Sequence, residues 1–268
     1  MILIYSVVVL VALYVLSTIC ATSRLGDRGV FRTSYAHRGL HGKGVPENSM
    51  AAFLCAEEMG YGVELDVHLL KDGNLAIIHD ASLKRVANAN VFIEDLTAPE
   101  LVNYRLEGTD ETIPIFADVL KALDGKVPLV VELKCERNNY PELCRRACEL
   151  LDTYSGPYCV ESFDPRCVYW LRKNRPDVVR GQLTENYFAT PKSKLPWYLK
   201  FVLKNQMLNF LTHPDFIAYR FSDRKTFSNT ICKRLWGAQL VTWTLKNQRE
   251  YDTAVHEGWI PIFENFQP

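Results

Sequence analysis

Eight short apolar runs rich in β-branched residues, each but the last followed by a stretch of helical periodicity, constrain this chain more than any other feature. The strands read as residues 34–39, 62–67, 128–134, 158–163, 178–183, 216–221, 239–244 and 260–264. Helical stretches read as 48–59, 116–123, 140–153, 165–174, 197–211, 224–235 and 247–257. Asn48 or Ser49 caps the first helix and Gly60 closes it, and Asp164-Pro165 opens the fourth in cap-then-proline order. Strict alternation specifies parallel strands joined by right-handed crossovers. Eight such units suit a closed TIM (β/α)8 barrel, which typically needs about 250 residues.

Before that pattern comes a different kind of sequence. Met1 to Cys20 carries no charge and is almost wholly apolar. A run of about 20 such residues is long enough to span a bilayer as a helix. The reading is an uncleaved transmembrane anchor over 1–21, a linker over 22–33 and a catalytic barrel over 34–268. Arg24, Arg28 and Arg32 follow the anchor and nothing basic precedes it, so the positive-inside rule puts the barrel on the cytoplasmic side. Acidic and basic residues balance at 31 each, which leaves no electrostatic footprint for nucleic acid. The eight cysteines form no CxxC pair. Cys144 and Cys148, one helical turn apart, read as packing rather than a zinc half-site.

Chemistry concentrates around Val63 to Asp80. Asp72-Gly73 between two apolar runs signals a hairpin. A two-residue turn pairs Lys71 with Asn74 and, counting outward, Asp66 with His79. Glu64, His68, Asp66 and His79 then share one face, and Asp80 points away. In a barrel, the carboxyl ends of the strands collect the reactive groups. Here those ends are His37-Arg38-Gly39, Glu64-Leu65-Asp66 and Glu132-Leu133-Lys134. Three converging carboxylates repel one another and call for a cation or shared protons. All-oxygen ligation selects a hard divalent ion, Mg²⁺ or Ca²⁺. Two histidines can move protons near neutral pH, and Arg38 and Lys134 suit phosphate oxygens. The set as a whole spells cation-assisted phosphodiester cleavage. Taken singly, His37 reads as a packed histidine and Glu132-Lys134 as a surface pair; His41, His213 and His256 read as loop or structural residues.

Two stretches break the alternation. The segment of about 80–115, with a short helix at Pro99–Tyr104, is too long for a simple loop and reads as a small cap over one face. Leu195 to Leu211 is mostly apolar or aromatic, with a narrow polar stripe at Lys200, Lys204 and Asn209. Such a helix is normally buried. A membrane-facing role beside the anchor is the alternative.

At this point the chain resembles a known family. Ala36-His37-Arg38-Gly39, Pro46-Glu47-Asn48-Ser49, Glu64-Leu65-Asp66-Val67, Lys71-Asp72-Gly73, Ile78-His79-Asp80 and Glu132-Leu133-Lys134 look like the ordered motifs of glycerophosphodiester phosphodiesterases. Ile113 to Leu120, Ser162-Phe163-Asp164 and Thr242-Trp243-Thr244 resemble further, weaker stretches of it. The resemblance implies a TIM barrel with a small insertion after the second strand. It implies that Glu64, Asp66 and Glu132 bind Mg²⁺ or Ca²⁺ and that His37 and His79 are the acid–base pair. By the same resemblance Arg38 and Lys134 touch the phosphate, while Phe163 and Trp243 line the glycerol pocket. The implied reaction releases sn-glycerol 3-phosphate and an alcohol, with the glycerol's own hydroxyl attacking phosphorus and water opening the cyclic phosphate. Where the family often carries a terminal Thr-Asp-x-Pro-like motif, this chain has Phe263-Glu264-Asn265-Phe266. The anchor also admits a lysophospholipase-D-type or phosphatidylglycerol-cleaving activity at the membrane. A catalytically silent membrane-bound scaffold is the alternative of another class.

Overall fold

The computed structural model describes residues 1–21, 29–190 and 193–268. Among them, eight parallel strands close into a barrel: β1 (Tyr35–Ala36), β2 (Gly62–Leu69), β4 (Leu129–Leu133), β5 (Tyr158–Ser162), β6 (Arg180–Thr184), β7 (Phe216–Arg220), β8 (Gln239–Leu245) and β9 (Ile260–Phe263). β1 closes the ring by pairing with both β2 and β9. The outer helices are α2 (Met50–Glu58), α4 (Phe116–Leu123), α5 (Tyr140–Leu151), α6 (Pro165–Asn174), α9 (Phe227–Arg234) and α10 (Gln248–His256). Ser49 caps α2 by accepting the Ala52 N–H, and Asp164 caps α6 by accepting that of Arg166.

Strand alternation sorts the side chains into two cores. Val63, Leu65 and Val67 of β2 and Leu129, Val131 and Leu133 of β4 point outward and pack under the helices, with Cys144 and Cys148 of α5 among them. The inward positions are layered along the barrel axis. The lower layer is apolar, with Tyr35, Val130, Cys159, Phe216 and Ala218. Residues 29–33, within the stretch read as a linker, reach this end: Val30 is buried in that layer and Phe31 lies edge-on to Phe216. The upper layer is acidic. Register sets Asp66 beside Glu132 and Glu132 beside Glu161, all buried at the carboxyl ends of β2, β4 and β5.

The hairpin partner of β2 is β3 (Leu75–Ile77), antiparallel to it. Its register differs from the two-residue turn by one position. Leu69 pairs with Leu75, and Leu70 N–H donates to Asn74 O, so the loop is the three residues Lys71-Asp72-Gly73. Gly73 at φ 83° takes the left-handed position that closes such a loop. Beyond β3 the insertion carries α3 (Lys84–Ala87) and two short 3-10 turns, Ile93–Asp95 and Ala98–Asn103. It has a small core of its own, built from Ile78, Leu83, Val86, Ile93, Leu101 and Leu106.

Two helices depart from expectation. The N-terminal α1 (Ile2–Ser17) is 16 residues, about 24 Å at 1.5 Å per residue. Among the described residues, no helix is long and apolar enough to cross a membrane. α1 stops early because the next residues bond to the barrel. Trp236 Nε1 donates to Thr18 Oγ1 (3.2 Å), Cys232 Sγ contacts Thr18 O (3.5 Å) and Ala21 N–H donates to Pro214 O (2.9 Å). Arg24 and Arg28, on which the orientation reading rests, lie outside the described residues. The stretch 197–211 is not a single buried helix. It divides into α7 (Trp197–Lys204) and α8 (Asn209–Thr212), with Gln206 at φ 58° between them. No residue of α7 is buried, and Trp197 is 73 % exposed.

Candidate active site

β1 ends one residue before His37, whose N–H still donates to Phe263 O of β9 (2.9 Å). The chain then turns sharply: Arg38 and Gly39 both take positive φ, and a Cβ on Gly39 would meet the Ala52 backbone at 2.8 Å. Only glycine lets this turn close against α2. The turn aims the Arg38 N–H at Glu64 Oε2 (2.8 Å) and the Arg38 guanidinium at Asp66 Oδ2 (3.4 Å) and Glu47 Oε1 (2.9 Å).

Glu64, Asp66 and Glu132 are all buried, and each offers an oxygen within 4.8 Å of the others. Lys134 Nζ sits between two of them, 2.9 Å from Asp66 Oδ1 and 2.7 Å from Glu132 Oε1. Asn48, itself at φ 53°, donates its Nδ2 to Asp66 Oδ2 (2.8 Å). Burial pushes Glu64 well above the usual carboxylate range, reinforced by Asp66 and Glu132. Burial likewise lifts Glu132 to about 7, against the pull of Lys134. Asp66 goes the other way: although burial opposes it, Lys134, His79, Arg38 and His37 together hold it well below that range. Buried acids crowded together, two of them pushed toward their protonated forms, with an ammonium drawn in between, suit a site shaped for a small cation. The donor set fits a hard divalent ion.

The two histidines face the same cleft, which Arg38, Glu64, Glu132, Glu161, Phe163 and Trp243 also line. His37 Nε2 stands 4.0 Å from Glu64 Oε2, while its Nδ1 is 3.5 Å from Glu264 Oε1. His79 arrives from the end of the hairpin, and its Nδ1 lies 2.7 Å from Asp80 Oδ1. Burial lowers both imidazoles; Glu264 opposes this at His37, as Asp80 does at His79. In both rings this shift favours the neutral form. Phe163 and Trp243 meet edge to face at 5.6 Å. The buried Trp243 Nε1 has no hydrogen-bond partner among the described residues, so a donor is left over at the cleft wall.

The structure thus brings together every residue the sequence nominated: His37, Arg38, Glu64, Asp66, His79, Glu132, Lys134, Phe163 and Trp243. Not every expectation holds. Asp80 does not point away but bonds to His79, and Arg85 Nε ties down its other oxygen at 2.6 Å. Arg85 also clamps Glu47 through both terminal guanidinium nitrogens (2.9 and 2.6 Å), so the chain of charges runs back to Arg38. His68 turns to the insertion instead, with Nδ1 2.7 Å from Glu94 and Nε2 3.2 Å from His79 O. Sequence reasoning also missed Glu161, a fourth buried acid, pushed well above the usual range by burial and by Glu132. Its one signal was its place just before Ser162-Phe163-Asp164. His41, read as a loop residue, shares Glu264 with His37 at 3.3 Å.

Residues 37–266 match the glycerophosphoryl diester phosphodiesterase family. A glycerophosphodiester phosphodiesterase from Caldanaerobacter subterraneus subsp. tengcongensis is 27 % identical over 236 residues, covering 83 % of this chain and 89 % of its own. A lysophospholipase D from Homo sapiens is 34 % identical over 133 residues, 45 % of this chain and 41 % of its own. Among solved structures, a phosphodiesterase from Oleispira antarctica in complex with the product sn-glycerol-3-phosphate superimposes with a TM-score of 0.72 at 21 % identity, covering 88 % of this chain and 94 % of that one. Matched over most of its length, the chain belongs to the glycerophosphoryl diester phosphodiesterase family.

Proposed function

We propose that this enzyme cleaves glycerophosphodiesters to sn-glycerol 3-phosphate and an alcohol, with Glu64, Asp66 and Glu132 holding one divalent cation, Mg²⁺ or Ca²⁺. The observation that carries the reading is the buried acid trio sharing one cleft with two imidazoles and two cationic side chains. When bound, the cation neutralises charge that builds on the phosphoryl oxygens.

The residues divide the remaining work. Arg38, braced by Glu47, and Lys134, shared by Asp66 and Glu132, orient the phosphate and add donors that strengthen as its charge grows. Of His37 and His79, one takes the proton of the attacking hydroxyl and the other gives a proton to the departing alkoxide. Each imidazole presents a carboxylate to Nδ1, so Nε2 is the atom left to face the substrate. Phe163 and Trp243 form the apolar wall for the glycerol carbons, with Trp243 Nε1 placed to donate to a hydroxyl.

The uncharged α1 would tether the enzyme to a membrane, with the barrel on the cytoplasmic side. A second reading keeps the site and takes a lysophospholipid as substrate; the exposed aromatics of α7 and the similarity to a lysophospholipase D favour it. Glycerol 3-phosphate release from glycerophosphocholine tests the first reading. Activity should vanish in chelator and return with Mg²⁺ or Ca²⁺. Full activity after exhaustive chelation removes the cation from the proposal, and no release from any glycerophosphodiester removes the reaction.

A further inference from the structure

α1 runs parallel to α9. Thr18 touches Cys232 and Trp236 near the lower end of α9, whereas Tyr14 stacks on Phe227, its first residue, with ring centroids 6.1 Å apart. In this barrel a helix starts at the end where the preceding strand finishes, so Phe227 marks the mouth side. Continuing past Tyr14, the first 13 residues of the chain reach about 20 Å beyond that level. The described side chains among them are exposed on every side, and none is charged. A protein groove covers one stripe of a helix; an all-round apolar surface calls for an apolar solvent.

A second element, far away in sequence, lies at the same end. The Leu203 and Lys204 carbonyls at the close of α7 accept from Thr184 Oγ1 and Tyr219 OH, on the mouth-side ends of β6 and β7. α7 therefore sits on the rim, exposing Trp197, Tyr198 and Phe201, with Phe188 beside Lys204. From Asn186 to Pro214 the chain has four lysines and no acidic residue. Aromatic side chains interleaved with lysine suit the interface of an anionic bilayer, where apolar rings sink in and ammonium groups stay at the phosphates.

We propose that α1 and α7 together seat the barrel on an anionic lipid bilayer with its catalytic mouth facing the membrane, so that the substrate reaches the cleft from the lipid phase. α1 acts as a strut rather than a loose tether, because its lower end is bonded to the barrel at Thr18 and Ala21. An aromatic path leads inward from the rim. Phe188 adjoins Tyr187, which lies 6.5 Å from Phe163, which in turn lies 5.6 Å from Trp243 in the cleft wall. The bilayer-borne substrate class is then a glycerophosphodiester that still carries an acyl chain, a lysophospholipid. This substrate assignment rests on the proposed reaction; the docking does not.

The full chain is mixed with phosphatidylcholine–phosphatidylglycerol vesicles containing brominated acyl chains, and tryptophan emission is followed. Quenching is expected in the wild type, and Trp197→Phe should remove a large part of it. A second variant, Trp197→Ser with Phe201→Ser, alters only exposed positions. It should hydrolyse soluble glycerophosphocholine within 2-fold of wild type and lose at least 10-fold on lysophosphatidylcholine embedded in the vesicles. Quenching that is absent, or unaltered by Trp197→Phe, overturns the docking. An equal change on both substrates, or none on either, overturns the lipid-phase route. If neither substrate is hydrolysed by the wild type, the reaction fails while the quenching result still decides the docking.

Discussion

The two histidines of the cleft carry the same imidazole chemistry in opposite settings. His37 follows a barrel strand, is held deep by packing, and keeps its Nδ1 carboxylate at a loose 3.5 Å, shared with His41. His79 hangs from the hairpin with a third of its side chain exposed, and grips its carboxylate at 2.7 Å. Asp80 is gripped in turn by Arg85, and Arg85 by Glu47. A side chain confined by its neighbours needs no strong bond to stay oriented; one at a rim does. The barrel supplies orientation by exclusion, and the insertion supplies it by a chain of charges.

The largest expected effects treat the two alike. His37→Ala and His79→Ala should each lower kcat by about 10²–10⁴-fold, the usual range for one proton transfer, with an unchanged far-ultraviolet spectrum. Near-wild-type hydrolysis in either variant breaks the pairing altogether. The next effect separates them. A hydrogen bond to an ionised group is worth about 1.5–3 kcal/mol, so Asp80→Asn should lower kcat about 10-fold. Arg85→Met should do nearly as much, since it frees the same carboxylate. Glu264→Gln should cost less than about 3-fold, because a 3.5 Å contact is beyond ordinary hydrogen-bond reach. Steady-state kinetics on glycerophosphocholine check all three. A Glu264 variant more damaged than the Asp80 variant inverts the comparison.

Much of this was legible in the sequence, and the reason is periodicity. Each of the eight parallel strands and each outer helix falls within a few residues of its expected span, because burial on both faces or on one stripe leaves a local pattern. What escaped depends on contacts between distant residues. Arg85 lies 38 residues from Glu47, and Glu264 reaches His37 only because β9 closes the barrel against β1. The hairpin shows a subtler failure. Asp72-Gly73 suggested a two-residue turn, yet the left-handed Gly73 closes a three-residue loop and shifts the register by one. By alternation that shift would turn His79 away from the cleft. It does not, because β3 ends at Ile77 and, past a last bond from the Ile78 N–H to Asp66 O, the chain bends at His79 and leaves the pleat. For α7, a narrow polar stripe is equally compatible with a buried helix and one facing lipid, so its exposure could not be read locally.

The smallest effect sharpens the comparison through pH. His79 lowers Asp80 well below its ordinary value, burial opposes this, and Arg85 adds to the lowering. A carboxylate depressed in the folded state contributes stability that is fully present above its unfolded value of about 3.9 and is lost as pH falls toward the folded one. An amide in place of this carboxylate cannot ionise, so Asp80→Asn forfeits the contribution at every pH. Thermal melts should therefore show wild type above Asp80→Asn by about 1–3 °C from pH 8 down to pH 5, as suits a partly solvated ion pair. The gap should close as pH drops below about 4, where the unfolded chain takes up a proton that the folded one resists. A gap that stayed constant down to pH 3 would mean that Asp80 steadies His79 by shape alone, and the contrast between a packed imidazole and a tethered one would lose its electrostatic half.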